Sequence, residues 1–202
     1  MNDSINKLTR EIGEFIVRME GRVDSKGNLL VYRLPKGDGG GLFEIAGIND
    51  KYHPEQAILL KSLIESGKHK EARESAIDYI IEYTNFYKPW HTDLRVQSFL
   101  RDCRFNRGPG GAAKILQHSV KVAKTYKGEI DGDVGVNTIT AANKHAAEDL
   151  LPRLLLSRQW YERVIVGRNE DSKFWSGLTN RWINVFQVSL SIGNPYIDLQ
   201  SL

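Results

Sequence analysis

Ile5-Asn6-Lys7-Leu8-Thr9-Arg10-Glu11-Ile12-Gly13-Glu14-Phe15-Ile16-Val17-Arg18-Met19-Glu20-Gly21 opens the chain and sets its class. Apolar residues recur at Ile5, Leu8, Ile12, Phe15, Ile16 and Met19, the spacing of an amphipathic α-helix. Asp3 or Ser4 stands where its N-cap is expected. Glu20 follows one turn after Ile16, at the edge of the apolar face, and Gly21 ends the pattern.

Beyond this helix the helical period lapses between Gly21 and Asp50. Leu29 to Tyr32 predicts a short strand, Pro35 to Gly41 a turn-rich loop, and Leu42 to Ile48 a returning strand. Helical patterns then resume. Pro54 suits a first helical position and Gly67 closes the segment Glu55 to Ser66. Lys68 to Tyr87 predicts another helix, stopped by Pro89. A further helix is marked by Leu94, Phe99 and Leu100, followed by a sharp break over Asn106 to Gly111. Helices are expected over Ala112 to Val122, Thr138 to Ala147, Leu150 to Val166 and Phe174 to Val188, with a loosely held tail after Gly193. The sum is a mainly α fold with one small β-hairpin region. Residues 1–95 hold the acids and the hairpin, and residues 96–202 are helical with Gly-rich turns.

The chain has 202 residues, 41% of them apolar, enough to build a core. Lys+Arg number 28 against 25 Asp+Glu, a balance too even for a nucleic-acid stripe. Cys103 is the one cysteine, so no intramolecular disulfide is possible, and Phe99 and Leu100 beside it predict a buried structural thiol. Met1-Asn2-Asp3-Ser4-Ile5-Asn6-Lys7 has no basic stretch followed by an apolar one. The expectation is cytoplasmic synthesis without a signal peptide. No apolar run approaches the roughly 18–20 residues that span a bilayer, so no stable membrane insertion is expected.

Three acids invite a chemical reading. Glycoside hydrolysis needs a carboxylic acid to protonate the leaving oxygen, and a second group to stabilise or activate attack at the anomeric carbon. Partial burial suits the acid, because it penalises the charged form. Glu20 has that placement; the plain alternative is a solvated glutamate at a helix end. Asp38, in Asp38-Gly39-Gly40-Gly41, and Glu44, in the expected hairpin, are the candidate partners. Their plain alternatives are turn chemistry and an exposed hairpin residue. The glycine run lacks a Walker ending, so it is no phosphate loop.

Asp131-Gly132-Asp133 invites a calcium reading, but Val136 and Ala142 stand where such a loop needs glycine and glutamate. A structural loop is expected instead, with Gly132 and Gly135 free to take positive φ and Asn137 capping the next helix. The histidines fall in no metal-ligand spacing. Neither a metal nor a cofactor is implied. Tyr87 and Trp90 flank a proline at an expected helix end, where a ring can stack on a sugar face or pack in a core.

These residues carry a resemblance. Phe105-Asn106-Arg107-Gly108-Pro109-Gly110-Gly111-Ala112, Leu116-Gln117, Asp131-Gly132-Asp133-Val134-Gly135, Arg158-Gln159-Trp160-Tyr161 and Trp175-Ser176-Gly177-Leu178-Thr179-Asn180-Arg181 resemble the C-terminal peptidoglycan-binding helical domain of glycoside hydrolase family 108. These are the phage-type and secretion-activator N-acetylmuramidases. The N-terminal half is similar with departures. Arg22 replaces the second glycine of the family's Glu-Gly-Gly, and Asp38-Gly39-Gly40-Gly41 lacks the proline and threonine of its Asp-Pro-Gly-Gly-x-Thr. Gly47-Ile48 matches the family's Gly-Ile one residue further on.

The resemblance implies a lysozyme-like fold and a muramidase cleaving the β-1,4 bond between N-acetylmuramic acid and N-acetylglucosamine. It puts the catalytic glutamate on Glu20, leaves Asp38 or Glu44 for the second role, and makes Tyr87, Trp90 and Asn106 substrate-binding candidates. The implied partner is the peptidoglycan glycan strand, reached through a holin pore or an export system. Two rivals stand beside it. One is a non-catalytic wall-binding or secretion-accessory protein; the other is a lytic transglycosylase using the same acid.

Overall fold

The computed structural model describes residues 2–36, 41–86 and 88–192, the side chains of 2–8 excepted. The chain forms two compact units, Met1–Tyr83 and Thr84–Leu202.

In the first unit, α1 (Asn2–Glu20) packs on α3 (His69–Tyr83), and α2 (Pro54–Glu65) packs on α3 and on the sheet. Ile12, Phe15 and Ile16 of the expected stripe are buried, joined by Leu60, Ile77 and Ile80 from the facing helices. The helix starts at Asn2, so Asp3 and Ser4 lie inside its first turn instead of capping it. Between α1 and α2 lies an antiparallel sheet in the order β1 (Tyr32–Arg33), β2 (Phe43–Ile45), β3 (Ile48–Asn49). The strand expected over Leu29 to Tyr32 is therefore shifted, and the one over Leu42 to Ile48 is folded in two. A two-residue turn, Ala46-Gly47, makes that fold, with φ of 51° and 76°. Positive φ at both positions matches the twist of a tight hairpin.

Pro54 does open α2, and Gly67 does close it, at φ 73°. By contrast α3 ends at Tyr83, ahead of Pro89. The next residues belong to the second unit: Arg101 donates to Thr84 Oγ1 at 3.3 Å and to Asn85 Oδ1 at 2.9 Å.

The second unit is built on α4 (Leu94–Val122), which packs against α5 (Val136–Ala142), α6 (Ala147–Trp160) and α7 (Trp175–Ser191). The break expected over Asn106 to Gly111 contracts to one residue. Gly108, at φ 66° and ψ 176°, kinks α4, and Pro109 starts its second half. Proline is tolerated there because a first-turn N–H has no intrahelical partner. The helix expected over Leu150 to Val166 starts earlier, at Ala147, and its last residues, Tyr161–Val166, form a π-helical turn.

Charge is buried in this unit. Asp102 faces Arg158, and Arg181 Nη2 donates to its other oxygen at 2.6 Å. Glu162, fully buried, faces Arg107 and accepts from Arg168 at 3.3 Å. Cys103 is buried as expected, and burial pushes its thiol up to about 12.

Candidate functional site

Glu20 is the last residue of α1 and is half-buried. Gly21 N donates to Val17 O at 2.7 Å, and the chain then turns under Leu29. A Cβ on Gly21 would stand 2.6 Å from Val17 O and 2.8 Å from Leu29 Cδ2. Close packing thus requires glycine directly after Glu20. Leu29 is 2% exposed, so the wall beside the helix end is a buried apolar one. The chain runs out and back between them. Val23 bridges Leu29, and Leu30 N donates to Arg22 O at 2.8 Å. Asp24 Oδ1 holds the tip by accepting from Lys26 N at 2.8 Å and Asn28 N at 2.9 Å.

Glu44 lies in the middle strand and is half-buried. Tyr32 pairs with it from one side and Asn49 from the other. Directly paired residues share a sheet face, so Tyr32, Glu44 and Asn49 form one polar row. Ile45, pointing the other way, is fully buried under the sheet. The Arg22 guanidinium sits over the Tyr32 ring, 3.5 Å from its centroid. A path of contact therefore runs from Arg22, two residues past Glu20, to Tyr32 and across to Glu44.

Arg22, Tyr32 and Asn49 were not among the residues the sequence singled out for chemistry. Arg22 carried a signal all the same, as the departure from Glu-Gly-Gly. Asp38 lies outside the described residues. The last glycine of its run is explained: Gly41 takes φ 107°, and a Cβ there would collide with Asp50 Oδ1. That oxygen accepts from Leu42 N at 2.8 Å and Phe43 N at 3.2 Å, fixing the entry to β2.

The remaining candidates belong to the second unit. Tyr87 lies outside the described residues. Trp90 is half-buried, its ring 4.4 Å from that of Phe86. Asn106 Nδ2 donates back to Asp102 O at 3.1 Å within α4, and Asn106 does not line the pocket that holds Trp90. The Asp131 loop is clamped by the fully buried Gln117. Its amide donates to Asp131 Oδ1 at 2.7 Å and Asp133 O at 2.8 Å, and accepts from Gly132 N at 2.9 Å. Gly132 takes positive φ, 89°. Gly135 does not, being extended at φ −88°, and it occupies the N-cap place, so Asn137 lies inside α5.

Over most of its length this chain folds like Brucella abortus SagA. The solved structure of that protein matches with a TM-score of 0.59 and 22% identity, over 90% of this chain and 93% of that one. An identity of that size speaks to the fold, which is mainly α with a small β-hairpin region after the first helix. No family model matches the chain, and no curated protein does. Among the described residues no group of three or more His, Cys, Asp or Glu could hold a metal ion. No described helix is long and apolar enough to cross a membrane.

Proposed function

We propose that the chain is a lysozyme-like N-acetylmuramidase of the family 108 type, acting on peptidoglycan glycan strands. The observation that carries the reading is Glu20 at the end of α1, half-buried and followed by a glycine that packing against Val17 O and Leu29 requires. In this reading Glu20 gives its proton to the glycosidic oxygen as the bond to the anomeric carbon breaks. Glu44 or Asp38 stabilises the positive charge developing on the sugar, or orients the attacking water. A holin pore or an export system would bring the enzyme to the wall.

Glu20→Gln is the test. Gln keeps the shape but cannot donate the proton, and general acid catalysis supplies about 10²–10⁴-fold in rate. Purified peptidoglycan should lose turbidity with the wild type and stay turbid with the variant. Near wild-type lysis by Glu20→Gln refutes the assignment.

A second reading rests on Arg22. Its guanidinium over Tyr32 fills ground where the family pattern has a glycine, which favours a wall-binding protein that no longer hydrolyses. Wild type that sediments with peptidoglycan and never clears it is the result specific to that reading.

A further inference from the structure

Arg22 is an exposed arginine held in one place. Its guanidinium lies 3.5 Å from the centroid of the Tyr32 ring, nearer than any other cation–ring contact among the described residues. Both partners stand on pinned backbone. Arg22 O accepts from Leu30 N at 2.8 Å, and Val23 bridges Leu29. Tyr32 is paired with Glu44 in the sheet. Stacking holds the face of a guanidinium and leaves its in-plane N–H donors open. No carboxylate among the described residues pairs with Arg22, whereas Arg10, Arg95, Arg107, Arg158 and Arg163 each have one. The N–H edge is spent on no partner among the described residues.

Its place is beside the proposed acid. Two residues of chain span at most about 7 Å, so the Cα atoms of Glu20 and Arg22 stand within that distance. Tyr32 sets the guanidinium on the polar row that holds Glu44 and Asn49. Carboxylates at a site repel an anionic ligand, and a cation on the same row offsets that repulsion and favours a negative group. The two sugars of the wall differ in this respect. N-acetylglucosamine is neutral. N-acetylmuramic acid bears a lactyl ether, whose carboxyl is ionised on a bare strand and becomes an amide where a peptide stem is attached, the stem then bringing carboxylates of its own. An arginine fork matches a planar carboxylate with two parallel N–H bonds. Stacking on Tyr32 reduces the side-chain freedom still to be lost when that ligand binds.

Resting on the reading of the chain as a peptidoglycan-acting protein, we infer that Arg22 is a specificity-determining residue that binds a carboxylate of the muramyl unit, with Tyr32 as its positioning residue. Affinity then follows the ionised carboxyl groups of the strand, the lactyl one on bare strands or those of the stem on stem-bearing ones. Recognition of the lactyl carboxylate would place the protein after a reaction that hydrolyses the amide between lactyl group and stem.

Titration calorimetry on the full chain carrying Glu20→Gln, so that strands stay uncut, tests this. The probes are soluble bare glycan strands, stem-bearing strands, the carboxyl-methylamidated form of each, and chitotriose. Methylamidation should weaken at least one kind of strand about five- to tenfold, and that kind identifies the carboxylate. Adding Arg22→Gln, at an exposed position, should weaken the same unmodified strand by the same factor. Methylamidation should then cost nothing more, and the salt dependence should flatten. Arg22→Lys should recover part of the affinity, because it keeps the charge without the fork. Chitotriose binding should not change. Strands that do not bind, equal binding of free and methylamidated strands, a methylamidation loss that persists in folded Arg22→Gln, or an equal loss for chitotriose overturns the inference. Peptidoglycan turbidity, read in parallel with wild type and Glu20→Gln, keeps the two readings apart. Lysis that depends on Glu20, with binding blind to carboxylates, removes the role of Arg22 alone. Carboxylate-dependent binding through Arg22 without lysis by wild type removes the hydrolase alone.

Discussion

Asp102→Asn isolates the buried charge of the second unit. Asp102 is fully buried, Arg158 likewise, and Arg181 is 6% exposed. One carboxylate thus serves guanidiniums from α6 and α7. Asn keeps the shape and one acceptor oxygen but removes the charge. Removing one partner of a buried pair costs about 3–5 kcal/mol, because the charge left behind stays out of water. With two arginines on one acid, about 4 kcal/mol is the expected loss. Unfolding entropy of about 2 cal/mol/K per residue turns that into a fall in Tm of roughly 10 °C if the whole chain melts together.

The pH dependence sharpens the test. Burial by itself would raise the Asp102 carboxyl, but the charges of Arg181 and Arg158 outweigh it and hold the group below the usual carboxylate range. With a depressed folded pKa, the unfolded chain takes up the proton first as pH falls. The stabilisation is complete above the unfolded value and is lost as pH drops through the folded one. Scanning calorimetry from pH 7 to pH 3 should show wild type well above Asp102→Asn, with the gap closing only below about pH 4. Other carboxylates are common to both proteins and cancel. A gap under about 2 °C at neutral pH, or curves that stay parallel into acid, refutes the reasoning.

Two further perturbations probe the ends of the argument. Gly21→Ala forces a Cβ against Val17 O and Leu29 Cδ2 and should cost about 1–3 kcal/mol by overpacking, read by urea unfolding. An unchanged midpoint would mean that the turn after Glu20 is slack. Gln117→Ala removes the three hydrogen bonds that clamp the Asp131 loop. The loop groups can partly rehydrate, so about 2 kcal/mol is expected, with hydrogen exchange at Gly132 N rising; a protected Gly132 amide would overturn the clamp.

Much of the fold was legible as local pattern. The stripe from Ile12 to Ile16 lies inside α1's packing, Pro54 opens α2 and Gly67 closes it, because each of these is decided by neighbours within a turn or two. The place of Glu20 at the end of α1 was legible for the same reason. The limits of α3 were not legible, since Thr84 and Asn85 are drawn away by Arg101, a residue 17 and 16 positions on. The break within α4 was legible, and the structure narrows it from the stretch Asn106 to Gly111 to the one non-helical residue Gly108.

The sequence by itself determined where helices form, that an acid ends the first of them, and that a glycine-rich hairpin region follows. Those features depend on period, caps and turn chemistry, which act over a few residues. Tertiary structure alone decided that Arg22 lies over Tyr32 in the row that holds Glu44. It also decided that Asp102 is paired with arginines 56 and 79 positions away, and that Phe86, Trp90 and Arg104 line one pocket. Such placements follow from which helix faces meet. Charges so far apart in the chain become neighbours only when burial makes an unpaired one too costly to keep.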